Sequence, residues 1–206
     1  MNSLSERKQQ IVGFWEIEED AQRDQLVAEI SAYANTQDPD AFSKEVRSQF
    51  EQINFSGISV IYEALTADPD KWAPFFKEEY KRAFKTAETA ENGWDILECL
   101  EEIGGAKTYP EKVSDDMVSF LAQHLSSNND VLRYKAVWLL GDWIGPENVI
   151  RHTRVVANLE EKLKDPNWKI RYIIKGFLED LGKLPPGYQT GFIDKIRAKI
   201  SSPYKL

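Results

Sequence analysis

Apolar residues recur every three or four positions along most of this chain, which is the spacing of an amphipathic α-helix. One set lies at positions 42, 46, 50 and 53. A second set is aromatic and comprises Trp72, Phe75, Phe76, Tyr80 and Phe84. The strict alternation that is typical of strands is nearly absent. The pattern therefore predicts an all-α protein with about ten helices joined by short polar turns.

Turn and capping residues mark where several of these helices begin. Asp38-Pro39 and Asp68-Pro69 place a proline at the first helical position. Ser3 and Glu6 have the spacing of a capping box. Asn92-Gly93 and Asn128-Asn129 predict breaks, and Gly104-Gly105 predicts the end of a helix.

Two segments of the C-terminal half are similar to each other. Residues 127–144 and 165–182 align at an offset of 38 positions. The offset superimposes identical residues, among them Arg133 on Arg171, Tyr134 on Tyr172, Leu140 on Leu178 and Asp142 on Asp180. A repeat of this length predicts helix pairs that stack and share one continuous core.

The residues of this repeat resemble a known family. Asp165-Pro166, Ile170-Arg171 and Leu181-Gly182 are similar to the second half of a HEAT repeat, and the similarity is clear over residues 127–182. The resemblance implies an α-α superhelix, a HEAT-like solenoid of about five antiparallel helix pairs. It also implies one domain over residues 1–206, with degenerate repeats in 1–110 and clearer repeats in 111–206.

The family resemblance also assigns roles to individual residues. It implies that Asp165 caps the second helix of its repeat. It further implies that Arg133 and Arg171 reach the turn of a neighbouring repeat. Four apolar residues are expected to face the first helix of that repeat: Ile170, Ile174, Phe177 and Leu181. Protein–protein recognition is the function that the family most strongly implies.

The charges of this chain are unevenly distributed. Residues 1–110 contain 22 acidic and 11 basic residues, whereas residues 111–206 contain 12 acidic and 15 basic residues. The net charge is −8. An acidic N-terminal half favours association with a basic protein, as in an adaptor or an immunity-type inhibitor of a basic toxin.

Aromatic and cationic residues alternate on the predicted second helices. We expect them to form a surface that binds a protein partner through aromatic anchors and cations. The candidate partner-binding residues are Tyr134, Trp138, Arg133, Lys135, Tyr172, Lys175 and Arg171. An alternative for Trp138 is that it fills the space beside Gly176 of the next repeat.

Residues suited to catalysis or metal binding are scarce. His124, His152 and Cys99 stand alone, without a second ligand at metal-binding spacing. Gly104-Gly105-Ala106-Lys107-Thr108 lacks the glycines of a phosphate-binding loop. The sequence therefore predicts a non-enzymatic protein without catalytic residues, metal or cofactor.

Two other functions are compatible with a helical-repeat chain. A HEAT-like DNA glycosylase could use Trp138, Asp142, Arg133 and Trp168, although the net charge of −8 disfavours binding to nucleic acid. A structural subunit of a larger assembly is the other alternative. With one cysteine, no signal-peptide pattern and no long apolar run, we expect a cytoplasmic monomer that does not enter membranes.

Overall fold

The computed structural model describes residues 3–50, 59–98, 100–101, 111–189 and 191–203. All regular secondary structure in these ranges is helical, so the all-α prediction is confirmed there. The α-helices of these ranges are α1 (Lys8–Val12), α2 (Asp20–Asn35), α3 (Pro39–Phe50), α4 (Ser59–Leu65), α5 (Pro69–Ala87), α6 (Gly93–Glu98), α7 (Glu111–His124), α8 (Asp130–Trp143), α9 (Thr153–Glu161), α10 (Trp168–Asp180) and α11 (Phe192–Ile200). Short 3-10 helices accompany them at Leu4–Arg7, Phe14–Glu16 and Lys162–Lys164.

The chain divides into two compact units, residues 1–104 (unit 1) and 105–206 (unit 2). The division lies close to position 110, where the excess of acidic residues gives way to an excess of basic ones. A single repeat domain over 1–206 remains a prediction. In the ranges described above, no helix combines the length and the hydrophobicity needed to cross a membrane.

The core of unit 1 is an aromatic cluster on α3, α4 and α5. In this unit α2 packs against α4, and α5 packs against α3, α4 and α6. The ring centroids of Phe42 and Trp72 lie 5.0 Å apart, and those of Tyr62 and Phe75 lie 6.2 Å apart. All five residues of the aromatic set predicted on α5 are buried, because their spacing places them on one face.

The aspartates that precede prolines cap the N-termini of two helices. The Asp38 carboxylate accepts hydrogen bonds from the backbone N–H groups of Asp40 and Ala41, at 3.0 and 3.1 Å. The Asp68 carboxylate accepts one from the N–H of Lys71 at 3.3 Å. These two predicted helix starts are confirmed. Satisfying the free N–H groups of a first turn stabilises a helix by about 1 kcal/mol.

The capping box predicted at Ser3 is wrong. The Ser3 hydroxyl is hydrogen-bonded to the Ser5 hydroxyl at 2.7 Å, and the N–H of Glu6 donates to the Ser3 carbonyl instead. The first turn is a 3-10 helix, whose geometry brings the carbonyl rather than the hydroxyl to this N–H. The predicted helix end at Gly104-Gly105 lies outside the described residues, as does Cys99.

Unit 2 contains two helix pairs. Helix α7 packs against α8, and α9 packs against α10. The pairs are joined by contacts of α8 with α10 and of α7 with α9. Of the four apolar residues expected to face α9, Ile170 and Ile174 are buried, whereas Phe177 and Leu181 are half-buried.

Asparagines cap the N-termini of α8 and α10 in unit 2. Asn129 accepts a hydrogen bond from the N–H of Val131 at 2.9 Å, and Asn167 accepts one from the N–H of Lys169 at 3.0 Å. The expectation that Asp165 caps α10 is therefore wrong. Asp165 lies two residues before the N-cap position, and its carboxylate accepts from the N–H of Asn167 at 2.8 Å.

Candidate functional site

Three of the predicted partner-binding residues on α8 are not exposed. Arg133, Tyr134 and Lys135 are all buried, and Tyr134 has no accessible surface. Helix α8 is covered by α7 and also by α10, so residues on most of its circumference become core. The expectation that these three residues form a binding surface is therefore wrong.

The Arg133 guanidinium connects α8 to the turn that precedes α10. Its Nε donates to Asp165 at 2.9 Å, its Nη2 to Asp130 at 2.6 Å, and its Nη1 to the Ser127 carbonyl at 2.8 Å. Asp130 also accepts a hydrogen bond from the Asn167 side chain at 2.8 Å. The hydrogen bonds from Asn167 and Arg133 lower the pKa of Asp130 below its ordinary value. Arg133 thus makes the expected connection to the next helix pair.

Arg171 occupies the equivalent position in α10, but its contacts differ. Its Nη1 donates to the backbone carbonyls of Asp165 and Pro166, the latter at 2.9 Å. Both carbonyls belong to the turn of its own helix pair, so the expectation that Arg171 reaches a neighbouring turn is wrong. Helical side chains tilt toward the N-terminus, and this tilt places Arg171 over its own turn.

The C-terminal segment of the chain contacts two of the predicted residues. The Tyr134 hydroxyl donates to the Pro203 carbonyl at 2.7 Å. The Lys175 ammonium forms an ion pair with Asp194 of α11 at 2.5 Å. Both groups are therefore engaged within unit 2.

The remaining predicted aromatics are partly accessible. Trp138 is half-buried and stacks on Tyr134 with a centroid distance of 6.2 Å and an angle of 12°. Tyr172 is also half-buried and contacts Trp168 edge to face at 6.4 Å. A Cβ placed on Gly176 would meet no atom within 4 Å, so the alternative that Trp138 fills the space beside Gly176 is wrong.

A groove in unit 1 presents a more accessible aromatic side chain. It has a volume of about 300 Å³ and lies where the Phe14–Glu16 turn meets α2 and α4. Trp15 is 55 % exposed, and its indole Nε1 donates to the buried Ser59 hydroxyl at 3.1 Å, which fixes the ring. The groove is lined by Phe14, Trp15, Asp20, Arg23, Asp24, Val27 and Glu63.

The rim of this groove is acidic. Asp20, Asp24 and Glu63 all have exposed side chains. The one cation of the lining, Arg23, lies 3.6 Å from Asp20 through its Nη1. Its buried Nε has no hydrogen-bond partner within the described ranges. The groove therefore combines an exposed tryptophan with an excess of carboxylates.

The sequence contained part of the signal for this groove. Trp15 adjoins the acidic stretch 16–20, which was visible as a local excess of charge. Ser59 and Glu63 are more than forty positions away and reach the groove only because α4 packs against α2. The pattern of apolar residues did not separate Trp15 from the core positions around it.

The buried His152 contacts the half-exposed side chain of Asp115 in unit 2. Their Nε2 and Oδ1 atoms lie 3.4 Å apart, and neither atom has a hydrogen-bond partner among the described residues. Burial lowers the pKa of His152 below its ordinary value of 6.5; the Asp115 carboxylate opposes this shift and Arg151 adds to it.

The free energy of unfolding should therefore fall when the pH decreases from about 7.5 to about 5.5. The unfolded chain takes up a proton at the ordinary histidine pKa, whereas the folded chain does so only at lower pH. The stabilisation that neutral His152 provides is complete above the histidine pKa of the unfolded chain. It is lost as the pH falls from that pKa toward the lowered pKa of His152 in the folded chain. Urea unfolding at several pH values measures this slope. His152→Gln should reduce the slope and His124→Gln should retain it; an unchanged slope in His152→Gln would contradict the assignment.

Comparisons with protein-family models, with curated proteins and with solved structures found no match to this chain. Within the described part of the chain, no three His, Cys, Asp or Glu side chains are arranged to hold a metal ion. The resemblance to HEAT repeats rests on residues 127–182.

Proposed function

We propose that this protein is a non-enzymatic protein-interaction module whose acidic groove, formed around Trp15, binds a basic segment of a protein partner. The observation that carries the proposal is Trp15, which is 55 % exposed, beside three exposed carboxylates. Tryptophan is enriched among the residues that dominate binding energy at protein interfaces. The negative charge of these carboxylates indicates that the bound segment of the partner is basic.

A lysine or arginine side chain matches this groove best. Its cation would lie over the Trp15 ring, an interaction that contributes about 0.5–1 kcal/mol at exposed sites. Asp24 and Glu63 would form ion pairs with cations of the partner at the rim. The acidic half of the chain would accelerate encounter with a basic protein.

The packing of unit 2 supports a HEAT-like arrangement. Its helix pairs α7–α8 and α9–α10 are joined by contacts between first helices and between second helices, as expected for repeats that stack in register. We infer that the chain is an α-α superhelix of such pairs that serves as an adaptor or as an immunity-type inhibitor of a basic toxin. A cytoplasmic, monomeric protein fits a chain with one cysteine.

The nucleic-acid alternative is less well supported. The guanidinium of Arg133, one of the four residues considered for a DNA glycosylase, already donates to two carboxylates and a carbonyl. It is therefore engaged, whereas phosphate binding requires an accessible cation. The acidic groove of unit 1 would repel a nucleic acid backbone.

Substitution of an acidic residue that lines the groove should weaken the binding of a basic peptide. In protein labelled with fluorotryptophan, we expect an arginine- and lysine-rich peptide to shift the Trp15 resonance, which is assigned through Trp15→Phe. Asp24→Lys should raise the dissociation constant about tenfold, because it replaces attraction by repulsion at the rim. Fluorine NMR titration measures both effects.

Glu91→Lys is the matched control for this experiment. Glu91 is exposed in the same unit but does not line the groove, and its substitution changes the net charge by the same amount. We expect it to leave the dissociation constant within about twofold of wild type. Equal weakening by both substitutions would show that the peptide senses only overall charge. That result would refute a specific site at Trp15.

A further inference from the structure

The last described helix, α11, exposes three isoleucines. Ile193, Ile196 and Ile200 are 65 %, 40 % and 82 % exposed. Their spacing of three and then four residues places them on one face of the helix. Amphipathic helices of globular proteins ordinarily turn such a face toward the core.

The opposite side of α11 contacts the rest of unit 2. Asp194 and Ala198 are half-buried, and Asp194 forms the ion pair with Lys175 of α10. At the angular step of an α-helix these two residues lie roughly 150° around the axis from the isoleucines. The apolar face of α11 therefore points away from the body of unit 2.

The spacing of the isoleucines is that of a coiled-coil seam. Ile193, Ile196 and Ile200 occupy successive a, d and a positions of a heptad. Arg197 then falls at an e position and Lys199 at a g position, and both side chains are exposed. Cations at these positions select a partner helix with acidic residues opposite them.

We propose that α11 docks an amphipathic helix of a protein partner whose flanking e and g positions are acidic. Antiparallel pairing with a second copy of this chain is disfavoured, because e then faces e and g faces g, which would place Arg197 and Lys199 each against the same cation of the other copy. An anionic membrane surface is disfavoured by the width of the apolar face, which is a single row of isoleucines. Helices that lie in membranes present a broader face rich in aromatic residues.

The proposal can be tested with a synthetic helical peptide that has leucine at a and d and glutamate at e and g. Fluorescence anisotropy should show saturable binding of this peptide to the whole chain. The matched peptide with lysine at e and g should not bind. Ile200→Ser should raise the dissociation constant at least about tenfold.

Ile150→Ser is the control, because Ile150 is also 82 % exposed in unit 2 but lies outside α11. It should leave the affinity unchanged. The double variant Arg197→Glu with Lys199→Glu should exchange the preference between the two peptides. Circular dichroism verifies that each variant keeps the helical content of the wild type.

Three results would overturn the proposal. Absence of saturable binding, or equal binding of the acidic and basic peptides, would exclude a charge-selective helix. Binding to vesicles of anionic phospholipid that Ile200→Ser abolishes, without peptide binding, would identify a membrane surface instead. A dimer detected by analytical ultracentrifugation and lost in Ile200→Ser would show that a second copy covers this face. The experiment concerns α11 alone, so its failure leaves the proposal for Trp15 intact.

Discussion

Arg133→Ala is expected to lower the free energy of unfolding by about 3 kcal/mol. The substitution leaves the Asp165 carboxylate, whose side chain is 3 % exposed, without the guanidinium that compensates its charge. It also removes the donor to the Ser127 carbonyl and the contact with Asp130. Breaking a buried ion pair costs far more than an exposed one, because water cannot reach the remaining charge. Urea unfolding followed by circular dichroism measures the loss.

Arg171→Ala is the matched control, since Arg171 is the repeat-equivalent residue. It bonds to backbone carbonyls of its own turn and is half-buried, so its removal leaves no buried carboxylate unpaired. We expect a loss of about 1 kcal/mol. Arg133→Lys should cause an intermediate loss in the free energy of unfolding, because an ammonium cannot reach all three acceptors. If Arg133→Ala and Arg171→Ala lose equal stability, the connection to Asp165 contributes nothing specific.

Glu79→Ala is expected to destabilise the protein by a similar amount, about 3 kcal/mol. Glu79 is completely buried on α5 and accepts hydrogen bonds from the Tyr62 hydroxyl at 2.8 Å and from Nη2 of Arg82 at 2.5 Å. Without the carboxylate, the buried Tyr62 hydroxyl and the Arg82 guanidinium both lose their hydrogen bonds to Glu79. Urea unfolding followed by circular dichroism measures this loss as well.

The neighbouring residue provides the control for Glu79. Glu78 is exposed and pairs with Lys81 at 2.7 Å on the surface of the same helix. Glu78→Ala should stay within about 0.5 kcal/mol of wild type, because exposed ion pairs contribute little. Tyr62→Phe should cost about 1 kcal/mol, the usual value of one buried hydrogen bond. Tyr62→Phe should cause no further loss of stability in the Glu79→Ala background, because the hydrogen bond is already absent there. Additive losses of stability would contradict the proposed contact.

The repeat pattern identified equivalent positions on α8 and α10 but not how deeply each is buried. The offset of 38 residues placed Arg133 and Arg171 at equivalent positions, and both are engaged at the turn before α10. Equivalence in sequence did not reveal that α8 is enclosed by two neighbours and that Tyr134 is consequently buried. A helical pattern identifies an apolar face, but the number of faces that become buried depends on how many helices pack around it.

The sequence by itself determined the helical class of the described residues, the two starts at Asp38-Pro39 and Asp68-Pro69, and the aromatic core face of α5. These features depend on contacts between residues a few positions apart, which periodicity and capping chemistry encode directly. Tertiary structure alone decided that Trp15 lies at an acidic groove, because Ser59 and Glu63 come from a distant helix. It alone decided that α11 turns its isoleucines outward, since an apolar face does not specify which side the rest of the fold will cover.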